Sequence, residues 1–288
     1  MNRLAYVRLA RPQQWVKNGF VLPGLIFGHE LGSPDKVVAA FTATAAFCLM
    51  SSAVYAMNDW FDRERDREHP DKRHRPIASG EIDPAAALVF GLLLAAGALV
   101  LGGLASPLVA AILTAYAGLN LGYSAGLKRI PVVDVFIIAA GFMLRILAGT
   151  IGIGIAPSHW LLLCGFLVTL FLGFAKRRAE LIALAEEAGR HRPVLEAYSE
   201  SFLDAAVLVC AAGMMFAYGF YTVAPETIAQ HGTDLTLTLP FVLFGTFRYL
   251  FLLRHRGGGA DPSNELLDDR WLLASAAGWV ATVVLLIG

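Results

Sequence analysis

The chain has 288 residues, 57% of them hydrophobic and 16% charged, and its 23 basic and 23 acidic side chains give a formal net charge of zero. A mean hydropathy of +0.60 belongs to a polytopic membrane protein rather than a soluble domain. The charge balance also argues against a generally basic, nucleic-acid-binding surface.

A bilayer-spanning helix needs roughly 20 mostly apolar residues. Nine such runs occur, near 18–33, 37–58, 84–104, 106–123, 132–154, 159–176, 201–223, 235–253 and 270–288. Pro23, Gly24 and Gly28 interrupt the first, and only Ala105-Ser106-Pro107 separates the third from the fourth. The basic N-terminus is not followed by the short apolar core and small-residue site of a cleavable signal. No linker or change of composition divides the chain, so the expectation is an all-α polytopic fold and a single domain over residues 1–288. Cys48, Cys164 and Cys210 all fall in apolar runs and read as packing residues.

Nine spans put the N-terminus and the loops after spans two, four, six and eight on one side. That side receives Arg3, Arg8, Arg11 and Lys17, the arginines and lysine between Arg63 and Arg75, Lys128 and Arg129, the basic residues from Lys176 to Arg192, and Arg254, Arg256 and Arg270. The opposite loops hold only Lys36. The positive-inside rule makes the basic side cytoplasmic, with the C-terminus outside. The expected location is the plasma (inner) membrane, with a site opening to the cytoplasm.

The stretch after span two, Asn58 to Pro76, is also rich in carboxylates, which topology does not explain. Asp59, Asp62 and Asp66 are spaced i, i+3, i+7, so a continuing helix stacks them on one face, with Asn58 beside Asp62. Such hard oxygen donors suit Mg²⁺, which binds through one or two carboxylates plus substrate phosphates. A solvated helix end neutralised by Arg63, Arg65 and Arg67 is the alternative. Lys72, Arg73, His74 and Arg75 follow, a basic cluster of the kind that receives phosphate. A later loop adds Tyr123, Lys128, Arg129 and Asp134. Arg145 stands alone within an apolar span, where a charge is costly; contact with a lipid phosphate and pairing with Asp134 are both open to it. Gly149, Gly152 and Gly154 are read as close-packing positions.

Asn58-Asp59-x-x-Asp62-x-x-x-Asp66 resembles the first aspartate motif of the UbiA-type intramembrane prenyltransferases. The segment from Lys72 to Ile82 and the pair Tyr123 and Lys128 resemble that superfamily's following segments. The resemblance covers essentially the whole chain and implies nine transmembrane helices around a central cavity. One departure is visible: the second motif, DxxxD after the sixth helix, is absent, and Lys176, Arg177, Arg178 and Glu180 occupy its place. With the segment from Arg11 to Gly28, this pattern is similar to one subgroup, the decaprenyl-phosphate phosphoribosyltransferases.

That resemblance implies an enzyme transferring 5-phosphoribose from phosphoribosyl pyrophosphate (PRPP) to a polyprenyl phosphate, for arabinan precursors of the cell wall. It implies Mg²⁺ on Asn58, Asp59, Asp62 and Asp66, with these aspartates and Lys128 as the catalytic set. Arg73, Arg75, Tyr123 and Lys128 are expected on the PRPP phosphates, and Lys17, Lys176, Arg177 and Arg178 on the lipid phosphate. The partners are the two substrates and the bilayer; association with further copies of the chain is left open. The principal alternative is prenyl transfer from a prenyl diphosphate to an aromatic or other apolar acceptor. A transporter would spread ionisable residues across the spans instead of gathering them at one end.

Overall fold

A computed structural model describes residues 3–70, 72–186, 194–255 and 268–287, and every regular element among them is helical. Arg190, Arg192 and Arg256 lie outside the described residues. The helices are α1 (Arg3–Ala10), α2 (Pro23–Phe27), α3 (Pro34–Glu68), α4 (Pro84–Ala105), α5 (Pro107–Ala125), α6 (Val133–Ala148), α7 (His159–Glu186), α8 (Glu200–Val223), α9 (Pro225–His231), α10 (Leu239–His255) and α11 (Arg270–Ile287). Among the described residues, eight segments are long and apolar enough to cross a membrane. The protein is a multi-pass membrane protein.

The boundaries follow local chemistry. Asp83 caps α4 by accepting from Ala85 and Ala86 N–H at 2.9 and 3.2 Å, with Pro84 pre-set at the first helical position. Ser106 ends α4 and caps α5, accepting from Val109 N–H at 3.1 Å, so three residues suffice to reverse the chain. Ser199 caps α8 in the same way.

The first apolar run departs from expectation. No helix spans 18–33; a 3₁₀ stretch, Pro12–Val21, precedes the five-residue α2. Prolines at the start of both pieces and glycines within them interrupt regular hydrogen bonding. The chain from α1 through α2 nonetheless packs along α3. Ala5 and Leu9 pack with Ile77 and Ile82 near the charged end of α3, whereas Leu25 packs with Ala40, Ala43 and Ile155 towards the other end.

The described chain forms two compact units, Met1–Lys128 with Ala140–Pro157, and Arg129–Ala139 with Ser158–Gly288. In the first, α3, α4 and α5 pack around Phe47, Met50, Leu113 and Tyr116. A Cβ at Gly149 would stand 1.6 Å from the Val21 carbonyl oxygen, and one at Gly24 would stand 2.2 Å from that of Gly149. These glycines let the broken segment approach α6, as the packing expectation holds. Gly154 is required instead by its φ of +75°. In the second unit, α7, α8 and α10 close over Phe171, Phe174, Leu203 and Leu253. Leu93, Leu104, Val209, Phe216 and Leu285 stay exposed, as the lipid-facing side of a span requires.

Candidate active site

Helix α3 creates the site by its length. At 1.5 Å per residue its 35 residues extend about 52 Å, well beyond a hydrocarbon core of about 30 Å. The motif lies in the last three turns, and the 3.6-residue repeat aligns its carboxylates as expected. Asp59 and Asp66 are each 2% exposed, while Asp62 is half-buried.

Buried carboxylates demand counter-charge. Arg11 Nη2 donates to both oxygens of Asp59, at 2.7 and 2.9 Å. Arg75 Nη1 bridges Asp59 Oδ1 and Asp66 Oδ2 at 2.8 and 2.7 Å. Lys128 Nζ stands 3.4 Å from both oxygens of Asp62, a looser contact. Asn58 Oδ1 accepts from Ser124 Oγ at 2.6 Å, tying α3 to α5. Arg11 also stacks on the Tyr55 ring at 4.9 Å. The first unit therefore carries an acid–base cluster made by α3, the residue after α1, the turn after α3 and the end of α5.

Among the described residues no three acidic, histidine or cysteine side chains converge as a ready-made metal cage. The donor set is nonetheless hard oxygen, and Asp62 is the carboxylate least committed to a cation. A metal arriving with a diphosphate needs only one or two such donors, and that the residues provide.

The remaining sequence-predicted residues divide clearly. Tyr123 sits one residue before Ser124 on α5, and Lys17 is half-buried in the 3₁₀ stretch. Arg73 is exposed on the Lys72–His74 turn, where its side chain lies 3.4 Å from His74, and among the described residues it does not join the cluster. Lys176 is half-buried and has no ion-pair partner among the described residues.

Arg177 and Arg178 are placed differently from Lys176: carboxylates of their own unit engage both guanidinium groups. Arg177, 2% exposed, donates to Asp134 Oδ2 and Glu180 Oε2, each at 2.6 Å. Arg178 donates to Asp204 at 2.5 Å, Glu200 at 3.1 Å and the Leu253 carbonyl at 3.0 Å. Asp134 also accepts from the Tyr198 hydroxyl at 2.7 Å, which receives the N–H of Val132 at 2.5 Å. Burial first, with the bond to Asp134 adding to it, pushes the Tyr198 phenol up to about 12, so it stays protonated and donates. Val132 is held at a φ of +70°, unusual for a β-branched residue. Arg145 does not pair with Asp134 among the described residues: its guanidinium donates to Asn18, Gly141 and Tyr116.

Arg11, Tyr55 and Ser124 were not legible as site residues. Arg11 adopts a left-handed backbone, φ +52°, immediately before Pro12, and nothing in its neighbours announces that it reaches Asp59, 48 residues away.

Comparison with known proteins gives this geometry a family. The sequence profile of the UbiA prenyltransferase family matches residues 19–261. The chain belongs to that family. It is similar to the decaprenyl-phosphate phosphoribosyltransferase of Corynebacterium glutamicum, with 33% identity over 98% of this chain and 86% of that one. It is equally similar to the protein of the same name from Mycobacterium tuberculosis H37Rv, at 33% over 96% of this chain and 92% of that one. Among solved structures, a UbiA homolog from Archaeoglobus fulgidus bound to DMAPP and Mg²⁺ superposes with a TM-score of 0.73, covering 98% of each chain at 18% identity. That likeness shows the UbiA fold.

Proposed function

We propose that this membrane transferase moves 5-phosphoribose from PRPP to a polyprenyl phosphate and releases pyrophosphate. The observation that carries the reading is the extent of the similarity: about a third of positions are identical over nearly the whole length of the curated phosphoribosyltransferases. The acid–base cluster agrees with it. We read residues 1–288 as one family domain, with the N-terminus and the basic loops facing the cytoplasm.

In the reaction a lipid phosphate oxygen bonds to the anomeric carbon, and the bond from that carbon to the pyrophosphate oxygen breaks, the leaving group keeping the electron pair. The nucleophile is already an anion near neutral pH, so no strong general base is needed. The larger tasks are orienting two anions and stabilising negative charge on the leaving group. Lys128, Arg75 and Arg11 are the cations at the carboxylate cluster, and Arg73 and Tyr123 extend the phosphate-binding set from the flanking turn and α5. Asp62, with Asn58, Asp59 and Asp66, would hold Mg²⁺, which supplies charge neutralisation to the leaving pyrophosphate. Lys17 and Lys176 keep the assignment to the lipid phosphate. Arg177 and Arg178, held by carboxylates, do not. The product is an activated sugar lipid suited to arabinan and cell-wall precursor synthesis.

The test is transfer itself. Purified protein, labelled PRPP, polyprenyl phosphate and Mg²⁺ should yield a labelled lipid. EDTA and Asp62→Asn should abolish the labelling. Turnover of a prenyl diphosphate with an aromatic acceptor, without lipid labelling, would assign the protein to the other branch of its family.

A further inference from the structure

Arg145 lies in the last turn of α6 and is 6% exposed. Its Nε donates to Asn18 Oδ1 at 2.8 Å, Nη1 to the Gly141 carbonyl at 2.9 Å and Nη2 to the Tyr116 hydroxyl at 3.0 Å. The guanidinium also lies over the rings of Tyr116, Phe142 and Phe47, at 4.7, 5.3 and 5.5 Å. All these partners are neutral. Among the described residues no carboxylate pairs with it, although the other two buried arginines, Arg177 and Arg178, each hold two.

The physical imbalance is specific. A guanidinium has five N–H donors, and three are matched by these oxygens. The carbonyl end of α6 contributes only a partial negative charge. Cation–π contacts lower the expense of burial without supplying an anion. A charge kept without counter-charge inside a membrane-spanning segment is expensive, and such residues usually face a ligand or a partner. Holding the broken first segment through Asn18 requires a hydrogen-bond donor at this position, not a permanent cation.

We propose that Arg145 is the counter-charge of a second, deeper anion subsite in the first unit, which takes a phosphate group, with Asn18 and Tyr116 orienting the guanidinium. It is distinct from the carboxylate cluster. Phe47, against which Arg145 stacks, precedes Asp59 by twelve residues on α3, about 18 Å along the helix axis. The proposal rests on the transfer reading for its choice of ligands. That reaction brings together two phosphorylated molecules, and the phosphate at Arg145 belongs either to the sugar donor or to the lipid.

The discriminating variant is Asn18→Asp, which sets a carboxylate against Arg145 Nε and cancels the charge from within the protein. Binding of PRPP and of dodecyl phosphate to the full-length protein in detergent would be measured by calorimetry. Wild type, Asn18→Asp, Arg145→Lys and Arg145→Gln would be compared, with thermal unfolding of each recorded alongside. The subsite predicts that Asn18→Asp keeps the melting temperature within a few degrees or raises it, yet weakens one of the two phosphates by about 100-fold, the scale of lost charge-assisted hydrogen bonds. Arg145→Gln should weaken the same ligand as much, and Arg145→Lys only about tenfold, on the same scale. The affected ligand identifies the source of the phosphate. Unchanged affinities in Asn18→Asp and Arg145→Gln would overturn the proposal, as would equal weakening of both ligands or a wild type that binds neither. Selective loss of one phosphate in a protein that forms no ribosylated lipid would leave the subsite standing and remove the transfer reading. Transfer with binding indifferent to Arg145 would do the reverse.

Discussion

Replacing Asp134 by leucine should be among the most damaging changes in the second unit, and the damage should be reversible by a second substitution. Asp134 is fully buried and accepts from Arg177 Nε at 2.6 Å and the Tyr198 hydroxyl at 2.7 Å. Leucine removes one of the two carboxylates that Arg177 holds among the described residues and leaves Glu180, whose side chain is 24% exposed. Removing one partner of a buried pair costs about 3–5 kcal/mol, and the surviving Glu180 contact points to the lower end, about 3 kcal/mol. At roughly 2–4 °C per kcal/mol for a chain of this order of size, the melting temperature should fall by about 6–12 °C. Adding Arg177→Met removes the stranded charge, and a well-packed apolar pair should bring the protein back to within about 1 kcal/mol of wild type. Thermal melts followed by tryptophan fluorescence in detergent measure the stability, and lipid labelling from PRPP measures activity. If Arg177 serves the fold, the double variant regains both. A double variant that melts like wild type but transfers nothing would refute the reasoning and return Arg177 to the lipid phosphate.

Arg75→Ala removes the bridge between Asp59 and Asp66 together with a cation of the phosphate site, so kcat/KM for PRPP should fall about 100-fold. Arg73→Ala, on the exposed turn, should lower it less than about tenfold by comparison; steady-state kinetics on both variants decides. Gly149→Ala drives a methyl group into the Val21 carbonyl and should destabilise the protein by about 3 kcal/mol, read as a lower melting temperature or as loss of monodisperse protein. Asp269 caps α11 through the Trp271 and Leu272 N–H groups and pairs with Arg248, which holds its carboxyl at about 2 against an ordinary 3.8. Its stabilisation is complete above the ordinary value and is lost as pH falls from about 3.8 through about 2. Melting temperatures of wild type and Asp269→Asn should differ most at neutral pH and converge towards pH 2; a constant gap would contradict the assignment.

Much of this was legible in the sequence because its signals are local. Apolar runs of membrane-spanning length mark the eight spanning segments among the described residues, and the i, i+3, i+7 aspartates need only the periodicity of α3 to share a face. The broken first segment was half legible: Pro23, Gly24 and Gly28 mark an interruption, but the tight approach of Gly149 to Val21 depends on a segment more than a hundred residues away. Charge pairing was not legible. Arg177 finds Asp134 across 43 positions and Arg178 finds Asp204 across 26, while their place at the missing second aspartate motif made these arginines read as phosphate ligands. Arg11 was hidden for the same reason, since a backbone turn, not a motif, aims it at Asp59.

The most direct measurement of the central claim follows two labels in one reaction. PRPP carrying one phosphorus isotope at the 5-phosphate and another in the pyrophosphate would be incubated with the wild-type protein, polyprenyl phosphate and Mg²⁺. Phosphoribosyl transfer predicts the 5-phosphate label in the lipid and the pyrophosphate label released to the aqueous phase, in equal amounts. Pyrophosphate label in the lipid, or an unlabelled lipid beside active consumption of a prenyl diphosphate, would contradict it.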